Sequence, residues 1–262
     1  MLFAVRCFEN SLELKLTAMT DIKQLLTEFN RFGYGQSLHT AFADILDWML
    51  LPFKRYDTAA EQRGALEKYQ SHPNAQHLVK LITLIGELSE NFRDPLGELF
   101  MQAISNGHNG QYFTPEHMCD MMAIMSLGEE SKPLQTVCDP ACGSGRMLLA
   151  AAKINRHMLF YGSDLDINCV KMALLNMLLQ SLTGEIAHMN TLSNEFYRGF
   201  KVDTALIDVF HMPYYIEFTE PELSYIWLSP LKVKESKSTF DKPFEPSRST
   251  QPVNGIQGTL FS

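Results

Sequence analysis

A glycine pair in the segment DPACGSGRML, residues 139–148, constrains the fold of this 262-residue chain more than any other feature. The pair follows the short apolar run LQTVC and leads into a helical pattern over residues 145–155. A strand, a tight turn and a helix in this order are typical of the first unit of a parallel α/β sheet, whose turn faces the ligand crevice. Gly143 and Gly145 have no Cβ, so backbone and ligand can approach closely there.

Strands and helices alternate beyond this turn. The segments LFYGSD, EIAHM, DTALIDVF and LSYIWL are predicted strands two to five, and Asp166 is the predicted N-cap of a helix that runs through Leu178. Such alternation implies parallel strands joined by right-handed crossovers. The sequence therefore predicts an α/β fold with a doubly wound, Rossmann-like sheet.

The region before the sheet is predicted to be entirely helical. Apolar residues recur at helical spacing after Ile22, after Phe42 and after Leu78, and Asp94 followed by Pro95 marks another helix start. We interpret these stripes as the buried faces of a helical bundle. A later helix, after Thr114 and Pro115, carries four methionines that we interpret as core filler: Met118, Met121, Met122 and Met125.

Four regions follow from these patterns. Residues 1–18 are predicted to be an extension with little structural role, because charged residues break their apolar run. Residues 19–105 form the predicted helical region and residues 106–230 the predicted sheet domain. Residues 231–262 are polar, rich in Pro, Ser and Lys, and without apolar periodicity, so we predict a disordered tail.

Composition excludes several classes of protein. No run approaches 18 uninterrupted apolar residues, so we predict no membrane span and no membrane partner. The five cysteines contain no C-x-x-C pair, so we expect no metal site and no disulfide framework, and a reducing cytoplasm is the expected location. A net charge of −8 disfavours unaided binding of a polyanion, so any nucleic-acid role needs a local basic surface or a partner subunit.

Two carboxylates beside the turn indicate the ligand. The third position of a pyrophosphate-binding G-x-G-x-x-G motif is Leu148 here, and Asp139 would repel phosphate while attracting an ammonium group. Asp164 ends the second predicted strand, where a carboxylate accepts hydrogen bonds from ribose hydroxyls. An amino acid, a ribose and an adenine occur together in S-adenosylmethionine (AdoMet), which is the predicted cofactor.

These motifs, taken in order, resemble a known family. GQYFTP (110–115), DPACGSGRML (139–148), YGSDLD (161–166) and NTL (190–192) are similar to segments of the modification subunits of type I restriction–modification systems. These subunits are adenine-N6 DNA methyltransferases, and the match in order and spacing covers roughly residues 95 to 195. The resemblance implies the class I AdoMet-dependent methyltransferase fold, preceded by a helical bundle.

The resemblance also implies roles for individual residues. Tyr112, Phe113 and Thr114 would surround the methionine end of AdoMet, and Asn190 would lie beside the adenine amino group. Asp164 would hold the ribose. The turn itself would be lined by Asp139, Ala141, Gly143 and Gly145. From the sequence alone, Tyr112 and Phe113 could equally be core aromatics, and Asn190 a turn residue.

The family's acceptor motif, [NDS]-P-P-[YFW] after the fourth strand, is absent. In that motif an Asn or Asp oxygen and a proline carbonyl accept hydrogen bonds from the target amine, and the aromatic ring stacks on a flipped base. Here DVFHMPYY, residues 208–215, stands in its place. Alignment on the proline makes His211, Pro213 and Tyr214 the candidate catalytic residues, although these could also be side chains packed at a strand end.

The tail contains one further signal. QGTLF, residues 257–261, resembles the Q-x-x-L-F peptide by which bacterial DNA-processing proteins dock on the sliding clamp. Gln257 would occupy a polar pocket, and Leu260 with Phe261 an apolar one. This peptide would bring the chain close to DNA.

Three functions are compatible with these patterns. The first is a shortened adenine-N6 DNA methyltransferase with low or no activity on its own, acting on DNA with a specificity or companion subunit. The second is a catalytically silent relative that binds AdoMet and acts as a regulatory or scaffold subunit. The third, a methyltransferase for protein glutamine or RNA, is disfavoured by the GQYFTP segment.

Overall fold

A computed structural model describes residues 21–56, 58–70, 74–105, 112–128, 134–207 and 209–229. The chain divides into two units, Met1–Trp227 and Leu228–Ser262, and all the elements named below belong to the first. The predicted extension and the predicted tail lie outside the described residues, as does the clamp-like peptide. Among the described residues, no helix is both long and apolar enough to cross a membrane.

Five helices precede the sheet domain among the described residues, and four of them follow the helical signals of the sequence, while the third is not predicted individually. Helix α1 covers residues 21–32. The others are α2 (Leu38–Leu50), α3 (Ala59–Gln70), α4 (Ala75–Leu88) and α5 (Pro95–Ala103). The apolar stripes point inward: Phe29, Phe42 and Ile85 are fully or almost fully buried. Asp94 is the N-cap of α5, and its side chain accepts a hydrogen bond from the Gly97 N–H, as the Asp-Pro pair predicts.

In the described part of the sheet domain there are five strands and three α-helices. Their order is α6 (Glu116–Leu127), β1 (Thr136–Asp139), α7 (Arg146–Ile154), β2 (Leu159–Asp164), α8 (Ile167–Leu179), β3 (Thr183–Asn190), β4 (Glu195–Ile207) and β5 (Phe210–Phe218). In the sheet the strands lie in the order β1-β2-β3-β4-β5. The pairs β1–β2 and β2–β3 are parallel. The predicted α/β class, with a helical region before it, is confirmed.

The expectation that every strand runs parallel is wrong. Strand β4 pairs antiparallel with β3, and β5 pairs antiparallel with β4. The reason lies in the tight turn after β3, where Asn190 Oδ1 accepts hydrogen bonds from the N–H groups of Leu192 at 3.1 Å and Ser193 at 3.2 Å. A connection this short can only return the chain antiparallel, since a parallel crossover needs about a dozen residues or more.

Two predicted strands are therefore assigned differently. The segment DTALIDVF is divided between the end of β4 and the start of β5. The segment LSYIWL forms no strand, because a 3-10 helix covers Pro221–Leu223 and the next residues bond elsewhere. Glu185 in β3 accepts hydrogen bonds from the Ser224 hydroxyl and from the Tyr225 N–H. These bonds fix the segment against a sheet side chain, so its backbone joins no ladder.

One hydrophobic core joins the helical region to the sheet. Its buried members include Phe42 and Leu99 from the helical region, and Phe160 and Leu174 from the sheet domain. Helix α6 is packed differently, since only Cys119 and Ala123 are buried, against Ala150 of α7. The interpretation of the methionine stripe as core filler is wrong for three of its four members, which are exposed: Met118, Met121 and Met125.

Candidate functional site

Three polar side chains meet at one edge of the sheet. Asp139, Asp164 and Asn190 are the last residues of β1, β2 and β3. Because these strands are parallel neighbours, their carboxyl ends lie at the same edge, which is where α/β sheets bind ligands. The structure thus brings together the residues that the sequence predicts for the ammonium, ribose and adenine ends of the ligand.

The glycine turn needs both of its glycines. Gly143 has φ +53° and Gly145 has φ +85°, values that side-chain-bearing residues rarely adopt. A Cβ on Gly143 would lie 2.9 Å from Cδ1 of Phe113. A Cβ on Gly145 would lie 3.2 Å from the Cβ of Ala173 in α8. The turn is therefore held close to the aromatic segment before α6 on one side and to α8 on the other.

Asp164 connects the end of β2 to the turn. Its Oδ2 accepts a hydrogen bond from the Gly143 N–H at 2.9 Å, and its Oδ1 accepts one from the Asp166 N–H at 2.9 Å. Asp139 makes a similar local bond, since its Oδ1 accepts from the Ala141 N–H at 3.1 Å. Each carboxylate oxygen has two acceptor sites, so both side chains keep capacity for donors from a ligand.

Burial alters the titration of both acids. Burial raises the pKa of Asp139, opposed by the Ala141 N–H, and the nearby charge of Asp164 raises it further. Burial likewise raises the pKa of Asp164, against the hydrogen bonds from the Asp166 and Gly143 N–H groups. Two partly buried acids that repel each other gain from a cationic ligand, because a positive charge lowers the energy of both carboxylates.

The GQYFTP segment lies against the turn in part. Its first two residues lie outside the described part of the chain, and Tyr112 is largely exposed. The Phe113 ring stacks on Phe100 with centroids 5.5 Å apart and closes the space beside Gly143. Thr114 is exposed, and its carbonyl oxygen accepts a hydrogen bond from Arg146 at 3.4 Å. Phe113 and Thr114 are thus placed next to the turn, while Tyr112 points into solvent.

Asn190 and Ala141 have local roles in this geometry. The Asn190 side chain caps the turn after β3, as described above, and the next residue, Thr191, donates its hydroxyl to the Pro140 carbonyl at 2.8 Å. Asn190 therefore lies at the site while its side-chain oxygen is engaged by the backbone. Ala141 is exposed at the mouth of the turn. Whether either residue contacts a ligand stays a prediction.

The three candidate catalytic residues do not lie at the carboxyl ends of β1 to β3. His211, Pro213 and Tyr214 belong to β5, the far edge strand of the sheet. His211 lines a cavity together with Leu159 and Thr183, which begin β2 and β3.

The remaining two lie on the same strand. Pro213 pairs with Thr204 across the β4–β5 hairpin, and the Tyr214 ring lies 5.7 Å from the Arg55 guanidinium. Because β4 and β5 form a hairpin beyond β3, the start of β5 falls at the amino ends of the parallel strands. The structure thus places these three residues away from the glycine turn, and their catalytic role stays a prediction.

The sequence analysis missed a buried polar cluster beneath the turn. Its members are Asp94, Ser144, Arg146 and Asn176, all at most 8% exposed. Asp94 is noted in the sequence only as a helix cap. The signal that could have revealed the cluster is Arg146 itself, a charged residue between a glycine turn and the apolar run MLLAAA. Among the residues that the structure describes, no group of acidic, His or Cys side chains could hold a metal.

Known proteins provide an independent comparison. The sequence profile of the N-6 DNA methylase family matches residues 94–224, half of the chain. Among solved structures, the type I restriction-modification system methyltransferase subunit from Streptococcus thermophilus is similar at 22% identity with a TM-score of 0.37. The alignment covers 65% of this chain and 39% of that one, so the chain spans about two fifths of that subunit. No curated protein gives a significant match.

Proposed function

Because the chain belongs to the N-6 DNA methylase family, we propose that its glycine turn binds AdoMet and that it takes part in methylating the N6 amino group of adenine in DNA. Strands β1 to β3 with α7 and α8 form the class I methyltransferase core that the resemblance implies. The observation that carries the proposal is the hydrogen bond from Gly143 to Asp164, which joins the turn to the ribose-binding position.

The residues present fit AdoMet. The positive φ of Gly143 and its lack of a Cβ let the turn pack directly against the Phe113 ring, so that the two form one surface. Asp139 and Asp164 supply negative charge where the ligand has an ammonium group and ribose hydroxyls. The raised pKa values of both acids mean that a cationic ligand relieves an unfavourable arrangement. A dinucleotide would instead place phosphate against two carboxylates.

Each group has a definable task in the proposed reaction. When bound, AdoMet would supply a methyl group that passes in line from its sulfonium sulfur to the amine nitrogen, with S-adenosylhomocysteine as the leaving group and loss of one proton from the nitrogen. Asp164 fixes the ribose, and its bond to Gly143 keeps the turn at a set distance from that sugar. The turn and the Phe113 ring packed against it form the surface that holds the methionine end. These contacts orient the donor, and orientation is a large part of what an enzyme contributes to a displacement reaction.

We propose that β5 does not supply the acceptor side of the reaction. No described residue at the carboxyl edge stands in for the motif that polarises the target amine, and His211, Pro213 and Tyr214 lie at the opposite edge. We therefore propose that the chain holds the donor and has little transfer activity on its own. DNA, a specificity or companion subunit, and the sliding clamp through residues 257–261 are proposed partners.

A methyl-transfer assay tests the enzymatic part of the proposal. The purified chain is incubated with tritiated AdoMet and unmethylated DNA, alone and with a matching specificity subunit. We expect incorporation at adenine only with the subunit, and its loss in Asp164→Ala. Incorporation by the chain alone that disappears in Tyr214→Ala would overturn the proposed division between donor and acceptor sites.

The placement of β5 also supports a second function. If AdoMet binds but no partner restores transfer, the chain is the catalytically silent relative that the sequence also allows. In that case AdoMet would act as a ligand that stabilises a regulatory or scaffold subunit. A rise in the midpoint of thermal unfolding with AdoMet, together with no transfer under any condition, would support this function over the first.

A further inference from the structure

The carboxylate of Asp94 is bonded far beyond what a helix cap requires. It accepts the expected bond from the Gly97 N–H at 2.8 Å. It also accepts bonds from Ser144 Oγ at 2.5 Å, Arg146 Nε at 2.7 Å and Asn176 Nδ2 at 2.8 Å. One buried side chain therefore joins α5, the glycine turn, the start of α7 and the middle of α8.

Arg146 extends this cluster to the Phe113–Thr114 segment, which packs against the turn. Its Nη1 donates to the Thr114 carbonyl oxygen at 3.4 Å, and its Nη2 donates to Glu98 at 3.4 Å. Its guanidinium lies over the Phe113 ring, 5.7 Å from the centroid. Burial alone would lower the pKa of Arg146, but the charge and hydrogen bond of Asp94 together with the charges of Glu98 and Glu116 raise it, so the side chain is charged.

The glycine turn and the Phe113–Thr114 segment are thus held against each other through Asp94 and Arg146. Ser144 stands between the two glycines, and both its hydroxyl and its carbonyl are engaged, the latter by Asn176 Nδ2 at 2.8 Å. The Phe113–Thr114 segment is held by the same guanidinium that Asp94 anchors. Gly143 and the Phe113 ring are in close contact, because a Cβ on Gly143 would lie 2.9 Å from the ring.

Stability alone does not explain a pair of this kind. Desolvating two charges costs as much as their attraction returns, so apolar residues in their place are often at least as stable. A buried hydrogen-bonded network instead selects one arrangement of the elements it joins. Here those elements are the glycine turn and the Phe113–Thr114 segment of the proposed AdoMet site.

We propose that Asp94 and Arg146 are positioning residues, which set the separation of the glycine turn from the Phe113–Thr114 segment and so fit the site to the methionine end of AdoMet. Neither residue is proposed to touch the ligand. This inference rests on the proposed function, since it concerns how the same site accommodates AdoMet. It predicts selective damage: loss of the pair weakens recognition of the amino-acid end and spares the adenosine end held by Asp164.

The test compares two ligands on the full chain. AdoMet is compared with 5′-methylthioadenosine, which keeps the adenosine and the sulfur and lacks the amino-acid group. Arg146→Met should lower AdoMet affinity by roughly tenfold or more while changing methylthioadenosine affinity by less than about twofold, measured by calorimetry. Arg146→Lys keeps the charge but loses the planar fork, so we expect an intermediate, equally selective loss.

A matched control lies on the same helix. Lys153 of α7 forms an ion pair with Asp120 at 2.8 Å at the surface, so Lys153→Met removes a comparable cation away from the turn. We expect it to change neither affinity. Asp94→Asn, which keeps an acceptor for the Gly97 cap, should reproduce the selective loss.

The possible outcomes are distinct. Equal weakening of both ligands by Arg146→Met and Arg146→Lys would show a general structural role and overturn the proposal, as would unchanged AdoMet affinity. Failure of Arg146→Met, Arg146→Lys and Asp94→Asn all to fold would also contradict it, since a positioning role requires a folded chain that still binds the nucleoside. If the wild-type chain binds neither ligand, the proposed function itself fails.

Discussion

The Asp164 carboxylate accepts a hydrogen bond from the Gly143 N–H at 2.9 Å, joining the end of β2 to the turn after β1. The same carboxylate is bonded to the Asp166 N–H. Asp164 therefore stabilises the turn through the Gly143 N–H and can still accept hydrogen bonds from a ligand. This relationship explains why a carboxylate and a glycine separated by about twenty residues act as one unit.

Asp164→Ala should weaken AdoMet binding by roughly ten- to a hundredfold, since hydrogen bonds to a charged group contribute about 1.5–3 kcal/mol. The change also leaves the Gly143 N–H without its acceptor. Calorimetric titration measures the effect. Asp203→Ala, an exposed acid on β4, is the control and should leave the affinity unchanged. Equal affinity in Asp164→Ala and wild type would refute the role of this acid.

Gly143→Ala should abolish measurable AdoMet binding. Its φ of +53° and the 2.9 Å approach of Phe113 give a Cβ no acceptable position, so either the turn or the ring must move. Gly128→Ala provides the matched control, because its φ of +70° is also positive but nothing lies within 4 Å of the added Cβ. We expect that variant to bind AdoMet normally. Similar binding by both variants would remove the steric argument.

As the pH is lowered, AdoMet binding should weaken at a higher pH than it would if both acids had the ordinary aspartate pKa. The pKa values of Asp139 and Asp164 are both raised by burial, so these acids take up protons above the usual aspartate range. Protonation removes the charge that attracts the ammonium group. Titrations between pH 8 and pH 4.5 should show the affinity falling as pH falls, and a flat profile would contradict this account.

The same two acids have the opposite effect on the free chain. A carboxyl whose pKa is raised by folding binds its proton more tightly in the folded state, so its contribution to stability is greatest at low pH and is lost as pH rises through the raised value. Ligand affinity and the stability contribution of Asp139 and Asp164 therefore change in opposite directions with pH.

Glu185→Gln should stabilise the fold increasingly as pH rises. Glu185 is fully buried in β3, and burial raises its pKa, against the hydrogen bonds from Ser224 and Tyr225. By the same sign, the charged form is unfavourable at high pH, while a glutamine stays neutral. Ser224 and Tyr225 donate to different oxygens of Glu185, so the single Oε1 of a glutamine can accept only one of the two bonds, and that loss is the same at every pH. Relative to wild type, the variant's unfolding midpoint should rise by about 2–4 °C between pH 5 and pH 8.

The exposed Glu222 gives the control for that measurement. Glu222→Gln should show the same midpoint as wild type at both pH values, because an exposed carboxylate has little to gain from neutralisation. A difference between Glu185→Gln and wild type that is independent of pH would show that the glutamate is not destabilised by its charge.

His211→Ala should leave AdoMet affinity unchanged within about twofold, as exposed substitutions away from a site normally do. His211 lies at the amino ends of the parallel strands, opposite the glycine turn. Calorimetry on this variant beside Asp164→Ala gives the comparison. A large loss of affinity in His211→Ala would mean that β5 contributes to the donor site after all.

Sequence alone predicts the first half of the sheet well and the second half poorly. Gly143, Gly145 and the strand-end acids have a local pattern, because turn geometry and strand register depend on nearby residues. The direction of β4 depends on Asn190 capping a turn, which reads in the sequence as any other polar residue. Because β4 is antiparallel to β3, the start of β5 with His211 and Tyr214 lies at the amino ends of the parallel strands. No local sequence pattern predicts this.

The buried cluster beneath the turn could not be predicted for a related reason. Asp94 and Arg146 are separated by about fifty positions, and each has an ordinary local explanation, as a helix cap and as a first-turn residue. Their pairing depends on how α5 packs against α7 and α8, which is a property of the assembled core. Long-range polar contacts of this kind leave a signal in one sequence only as a charged residue in an apolar setting.

The most direct test of the central claim is a calorimetric titration of the purified wild-type chain with S-adenosylhomocysteine, the demethylated product of AdoMet, at pH 7.5. We predict saturable binding at a single site, absent in Gly143→Ala and present in Gly128→Ala. A wild-type chain that is folded by circular dichroism and gives no heat of binding would contradict the account.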